Sequence, residues 1–146
     1  MRVLVTGAGG FIGPHVVRAL RARDHEAIEL FRPDADLRDP AAVDAVFART
    51  RPSALIHLAW YAKPADYLTS SENLASLQAT TTLVAGAIAA GCRKIVGAGT
   101  CLEYAAADHA VGEDHPLDPV TLYASAKASA WLSTRALAAA AGAELA

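Results

Sequence analysis

Tyr123 and Lys127 stand four residues apart in Tyr123-Ala124-Ser125-Ala126-Lys127, a stretch that opens a helix after Pro116-Leu117-Asp118-Pro119. One helical turn brings phenol and ammonium to the same face, so the cation can depress the phenol's pKa and hydrogen-bond a ribose beside it. Thr100 closes the apolar run Lys94-Ile95-Val96-Gly97-Ala98-Gly99. A hydroxyl at the carboxyl end of a buried strand can hold a substrate's hydroxyl or carbonyl oxygen. Together the three residues could move a proton on oxygen while a nicotinamide gives or takes a hydride, with Tyr123 as acid/base, Lys127 tuning it and Thr100 orienting the substrate. A Tyr and a Lys at this spacing occur by chance in many helices, so the weight rests on what accompanies them.

The chain opens on a second such stretch, Val3-Leu4-Val5-Thr6-Gly7-Ala8-Gly9-Gly10-Phe11-Ile12-Gly13. A β-branched run breaks into a glycine-rich turn, and an amphipathic helix carrying Val16, Val17 and Leu20 follows, which is the context a dinucleotide-phosphate loop requires. Gly7 makes the tight turn, Gly10 leaves room for a pyrophosphate, and Gly13 lets the helix pack closely on the sheet. The N–H groups at the helix start, from Phe11 and Ile12 onward, then face the anion.

The elements that must position these groups follow in order. Glu26 to Phe31 reads as a second strand, whose end governs cofactor choice: an acid there bonds ribose hydroxyls, whereas a base can pair with an extra phosphate. Phe31 and then Arg32 stand there, so NADP is expected over NAD, with NAD still possible. A short third strand is expected near residue 35, then a helix over 41–49 with Asp39 as its N-cap and Pro40 behind it. Ala54-Leu55-Ile56-His57-Leu58-Ala59 reads as a central strand buried on both faces, with Leu58 and Ala59 at its cofactor end and His57 filling a structural role in the core. A long helix spans 67–90 with Leu74, Leu77, Val84 and Ile88 on one face, and another spans 121–141. The residues 142–146 read as the first half of a sixth strand.

Thr6-Gly7-Ala8-Gly9-Gly10-Phe11-Ile12-Gly13, with glycines spaced three apart, resembles the fingerprint of the extended short-chain dehydrogenase/reductases, the sugar-nucleotide epimerases, dehydratases and reductases. The likeness covers essentially the whole chain, through the catalytic Tyr-Lys pair. It implies that Asp36-Leu37-Arg38-Asp39 is the family's D-L-x-D element, with Asp36 facing the adenine amino group and Leu37 beside it. Dehydratases of the family carry an Asp-Glu pair directly behind the hydroxyl residue, but here Cys101 and Leu102 stand there, which leaves a reductase or an epimerase. Glu103, one position later and on the opposite face if the chain stays extended, is a poor substitute. Ser76 replaces an asparagine usual in the family.

The expected architecture is α/β, a Rossmann-like doubly wound parallel sheet from strands near residues 2, 26, 35, 54 and 95 in the order 3-2-1-4-5. Residues 1–146 form one nucleotide-binding domain, and the resemblance implies that a further substrate region would follow. A chain stopping there is expected to be inactive alone, and the family implies a homodimer through the two long helices. The length of 146 residues and 53% hydrophobic composition suit one domain with a real core. A net charge of −2 with scattered basic residues gives no footprint for nucleic acid or a membrane surface. Two cysteines, no leader before Val3 and no apolar run near the roughly 20 residues of a bilayer span point to the cytoplasm. No metal is expected. The partner is a small nucleotide-linked keto sugar, and the competing expectation is a nucleotide-binding module without catalysis.

Overall fold

The computed structural model describes every residue from Met1 to Ala146. Five parallel strands make one sheet: β1 (Arg2–Thr6), β2 (Glu26–Leu30), β3 (Ala54–His57), β4 (Lys94–Gly97) and β5 (Glu144–Leu145), in the order β2-β1-β3-β4-β5. Four helices connect them: α1 (Gly13–Arg21), α2 (Pro40–Thr50), α3 (Glu72–Ala89) and α4 (Leu122–Ala141). The Rossmann-like class stands. The register is continuous across the sheet, with Val5 opposite both Glu29 and Ile56, and Ile56 opposite Val96.

Two element boundaries differ from the sequence reading. Residues near 35 form no strand: Phe31 donates its amide to Asp34 Oδ2 at 2.8 Å, and Arg32–Asp34 closes into a single 3-10 turn. The Asp34 side chain supplies locally the hydrogen bond a strand would seek from a neighbour. The sheet position expected for that strand is empty, and the outer place at the opposite edge goes to β5, paired through Lys94–Glu144 and Ile95–Leu145. The long third helix begins at Glu72 and not near 67, because residues 64–69 form turns that pack on α4 through the Tyr123 amide and the Leu68 carbonyl, 3.1 Å apart.

Alternation along the strands feeds two cores. Leu4, Leu30, Leu55 and Ile95 meet α2 and α3 through Val43, Val46, Phe47, Leu83 and Val84. Val3, Val5 and Ala54 point the other way onto Val17 of α1. Along α3 the buried positions are Asn73, Thr80, Leu83, Val84 and Ala87, while Leu74 is 54% exposed, so the expected apolar face is rotated. Asp39 caps α2 as read, accepting from the Ala41 amide at 2.9 Å with Pro40 at the first turn, and Thr121 caps α4, accepting from the Ala124 amide at 3.1 Å. No helix is long and apolar enough to cross a membrane.

Candidate active site

The carboxyl ends of β1, β3 and β4 converge on one edge of the sheet, and the chemistry-bearing residues collect there. β1 runs into the glycine loop, where Gly7 takes a left-handed φ of +68°. A Cβ on Gly7 would lie 2.8 Å from the Ala59 nitrogen and the Leu58 carbonyl carbon, so the loop touches β3's end backbone to backbone. Phe11 and Ile12, 94% and 54% exposed, stand at the start of α1, and their amides donate to no backbone carbonyl. Those amides and the helix dipole are what an anion would meet.

A cavity of about 690 Å³ opens beside the loop, within the range of small-molecule sites. Gly7, Gly10, Arg32, Asp36, Leu37, Leu58 and Ala59, the residues expected from the sequence to touch the cofactor, all line it. Gly13 sits beneath, buried at the first turn of α1. Asp36 reaches the cavity with its carboxylate already clasped: Arg38 Nε and Nη2 bond its two oxygens at 2.9 and 2.7 Å, and the Arg38 amide adds a third contact at 2.9 Å. These bonds hold the Asp36 carboxyl at about 2. Arg38 was not singled out from sequence, although its position two residues after Asp36 in a turn was the available signal. The remaining arginine of the cavity, Arg32, is the cation left for a ligand.

His57 is a structural residue. Thr80 Oγ1 donates to the Ser76 carbonyl at 2.8 Å, so it must accept from His57 Nε2–H at 2.9 Å. That leaves Nδ1 bare to accept from Thr6 Oγ1 at 2.6 Å, and the Thr6 oxygen in turn accepts from the Ala59 amide at 3.4 Å. The neutral ring thus ties β1, β3 and α3 together beneath the glycine loop. Burial first, and the Lys127 charge second, lower its pKa from 6.5 to about 4. With the folded value below the unfolded one, the unfolded chain takes up this proton first as pH falls, so stability is lost between 6.5 and about 4. Moving from pH 7 to pH 5 should remove about 2 kcal/mol through this group, and denaturant unfolding at both pH values should show a smaller loss in His57→Asn. Equal losses in both proteins would contradict the linkage.

The three residues expected from the sequence to carry the proton chemistry lie past β4. Thr100 follows the strand and caps a 3-10 turn over Cys101–Glu103, its hydroxyl 3.4 Å from the Leu102 amide. The turn reverses the chain, so Glu103 does not lie on the far face as extended geometry would have it. Its carboxylate folds back to accept from the Thr100 amide at 2.8 Å and is 5% exposed. Sequence reasoning named this acid but missed its burial, whose signal was the Thr-x-x-Glu capping pattern. Cys101 is exposed, and Cys92 is a buried thiol donating to the Pro52 carbonyl at 3.0 Å.

Tyr123, in the first turn of α4, meets Trp60 and Tyr67 edge to face, with ring centroids 6.3 and 5.0 Å away. Burial raises its pKa, and the carboxylate of Glu103 adds to that, while the Thr100 hydroxyl works the other way. The expected depression by Lys127 is absent because the ammonium is directed elsewhere. Lys127 Nζ donates to the Ala98 carbonyl at 2.7 Å and lies 4.0 Å from the Trp60 ring centre. Burial lowers its pKa to about 8, against the opposing pull of Glu103. Trp60 therefore joins the two halves of the site: it lines the cavity and touches both Lys127 and Tyr123. Tyr61 and Ser76 continue the wall, the Ser76 hydroxyl accepting from the Tyr61 amide at 3.1 Å.

Known proteins resemble the chain in sequence and in fold. The chain is 27% identical to a UDP-glucose 4-epimerase of Rhizobium meliloti (strain 1021) over 92% of its own length and 45% of the epimerase. It is 34% identical to a 3-diazoavenalumate denitrifying reductase of Streptomyces sp over 92% of its length and 48% of the reductase. Superposed on the Thermus thermophilus UDP-glucose 4-epimerase crystallised with NAD, it gives a TM-score of 0.86 at 26% identity, covering 99% of this chain and 53% of that one. The chain spans about half the length of these relatives. The family model for NAD dependent epimerase/dehydratase matches residues 3–146, and the chain belongs to that family.

Proposed function

We propose that this chain is the cofactor-binding and proton-transferring part of an extended-type short-chain dehydrogenase/reductase that reduces or epimerises a nucleotide-linked keto sugar. The observation that carries the reading is the anchoring of Lys127 at the end of β4 and the Thr100 hydroxyl beside the Tyr123 phenol, both joined through Trp60 to a glycine-lined cavity. The residues present fit a dinucleotide: a Cβ on Gly7 would intrude on the loop's contact with β3, and unpaired amides face outward at the start of α1. Gly7, Gly10, Phe11, Ile12 and Gly13 would hold its pyrophosphate, Asp36 and Leu37 its adenine, Leu58 and Ala59 its middle, and Lys127 the distal ribose. When bound, the nicotinamide supplies or accepts the hydride.

The chain's own residues handle the proton. Thr100 offers a hydroxyl to the substrate oxygen, and Tyr123 gives that oxygen a proton or takes one from it. With its pKa raised by burial, the phenol is protonated at neutral pH, which suits donation to a carbonyl oxygen and hence ketoreduction. Lys127 places a positive charge beside the proton path. The relatives supply the substrate class, since the names of several specify nucleotide sugars. The outward faces of α3 and α4 keep Leu74, Leu132 and Leu137 exposed, and we place a homodimer contact there, to be checked by mass in solution.

Assay of the purified protein with NADPH or NADH and a panel of nucleotide-linked keto sugars tests the reading. In a catalytically complete form of the protein, oxidation of the cofactor that depends on one of these sugars is the expected result; cofactor binding with no turnover in that form would favour a non-catalytic binder. Cofactor preference has its own test. Arg38 is committed to Asp36, so Arg32 is the group we assign to the phosphate of NADP. Wild type should bind NADP roughly ten- to hundred-fold more tightly than NAD, and Arg32→Ala should erase the difference. Equal affinities in wild type would refute the preference.

A further inference from the structure

We propose that Trp60 is a positioning residue for Lys127: its indole face holds the ammonium at the end of β4, one helical turn along α4 from Tyr123, and keeps it charged where water scarcely reaches. The proposal deepens the catalytic reading and rests on it for its consequence in turnover. Its physical core, the charge on Lys127, is read separately.

Lys127 is 8% exposed, and a buried ammonium is stable only when its hydration is replaced. The Ala98 carbonyl takes one N–H at 2.7 Å, and the Trp60 ring centre lies 4.0 Å from the nitrogen, well inside the range at which the negative face of an indole attracts a cation. With one N–H on the carbonyl and the indole beside it, the ammonium retains donor capacity for a ligand or the phenol. The charged and titratable groups around it are few. Glu103, from the turn after β4, favours the charged form; His57 on β3 is held neutral; Tyr123, one turn earlier on α4, is held protonated.

Trp60 is itself fixed. Its Nε1–H donates to Asn73 Oδ1 at 2.9 Å, and Asn73 is fully buried. The Asn73 amide spends its donors on the Tyr67 and Ser70 carbonyls at 2.6 and 2.9 Å, which fixes which way the amide faces. Asn73 of α3, itself tied to the loop at Tyr67 and Ser70, thereby holds the indole nitrogen, while the Tyr123 ring meets the indole edge on. A flexible aliphatic side chain of similar bulk would fill the space without the electron-rich face.

The experiment is a pH titration of the Lys127 Nζ resonance in the full chain labelled with 15N-lysine, one of three lysines. A Trp131→Phe background leaves Trp60 as the one tryptophan, which is then replaced by tryptophans of increasing ring fluorination; fluorine drains the ring face while barely altering shape. The apparent pKa of Lys127 should fall stepwise, by about one unit over the series, with Trp131→Phe alone matching wild type. Trp60→Leu should fall at least as far. A Lys127 value that ignores fluorination overturns the proposal, whether or not Trp60→Leu folds. Because the titration reads charge and not turnover, a Tyr123→Phe protein that kept its activity would sink the catalytic reading and leave this result standing.

Discussion

Tyr123→Phe should lower turnover by at least about 100-fold, the scale of losing a general acid, while cofactor affinity stays within a few-fold of wild type. The substitution removes one oxygen and little else. The ring's edge-to-face contacts with Trp60 and Tyr67 are made by carbons, and the bond from the Tyr123 amide to the Leu68 carbonyl belongs to the backbone, so the first turn of α4 keeps its place. Lys127, anchored by the Ala98 carbonyl, does not depend on the phenol for its position. The loss therefore falls on the proton step. Burial of both groups sets a pH signature: the rate of ketoreduction should hold through the neutral range, begin to fall as Lys127 loses its charge at about 8, and fall further in stronger alkali as the phenol, its pKa raised, is lost as a donor. Steady-state kinetics of both proteins across pH, with a cofactor titration by fluorescence, supply the measurement. Near-normal turnover in Tyr123→Phe would mean that another group protonates the substrate oxygen.

What the sequence disclosed, and what it did not, follows from the range of the forces involved. The glycine loop, the cap at Asp39, and the buried runs of β1 and β3 are local patterns, fixed by turn geometry and periodicity within a few residues, and they appear where the spacing put them. The expected strand near 35 failed for an equally local reason, the Asp34 side chain closing a turn on the Phe31 amide, which propensity alone does not reveal. The contacts that define the site are of another kind. Trp60 reaches Lys127 across 67 positions of chain, and His57 finds Thr6 51 positions away. Such pairs exist only once the parallel order β1-β3-β4 has brought three strand ends to one edge. Glu103 lay between these extremes. Its capping pattern was visible, but its burial depended on the turn that Thr100 begins, and that turn cancelled the expectation of an extended chain.

Gly13→Ala should both destabilise the fold, by about 2 to 3 kcal/mol, and weaken cofactor binding by roughly 100-fold. The added methyl would press directly on the carbonyl oxygens of Gly7 and Ala8. Both are main-chain atoms in a loop braced against the end of β3, so neither can rotate away as a side chain would. Relief must come from moving α1 off the sheet or from opening the glycine turn. The first loosens Val17 from Val3 and Val5, which is the stability cost. The second swings the Phe11 and Ile12 amides out of line with an incoming pyrophosphate, which is the affinity cost, since anion binding at a helix start needs several N–H groups aimed at one point. Gly9→Ala is the control within the same loop. Its methyl would meet only the edge of the Phe31 ring, at 3.4 Å, and Phe31 is a half-exposed side chain free to give way. Chemical denaturation and calorimetric titration with NADP should therefore separate the two variants, with Gly9→Ala within a few-fold of wild type in binding. If Gly13→Ala binds the cofactor as tightly as Gly9→Ala, the loop is more compliant than its backbone contacts require, and the phosphate cradle assigned to it is wrong.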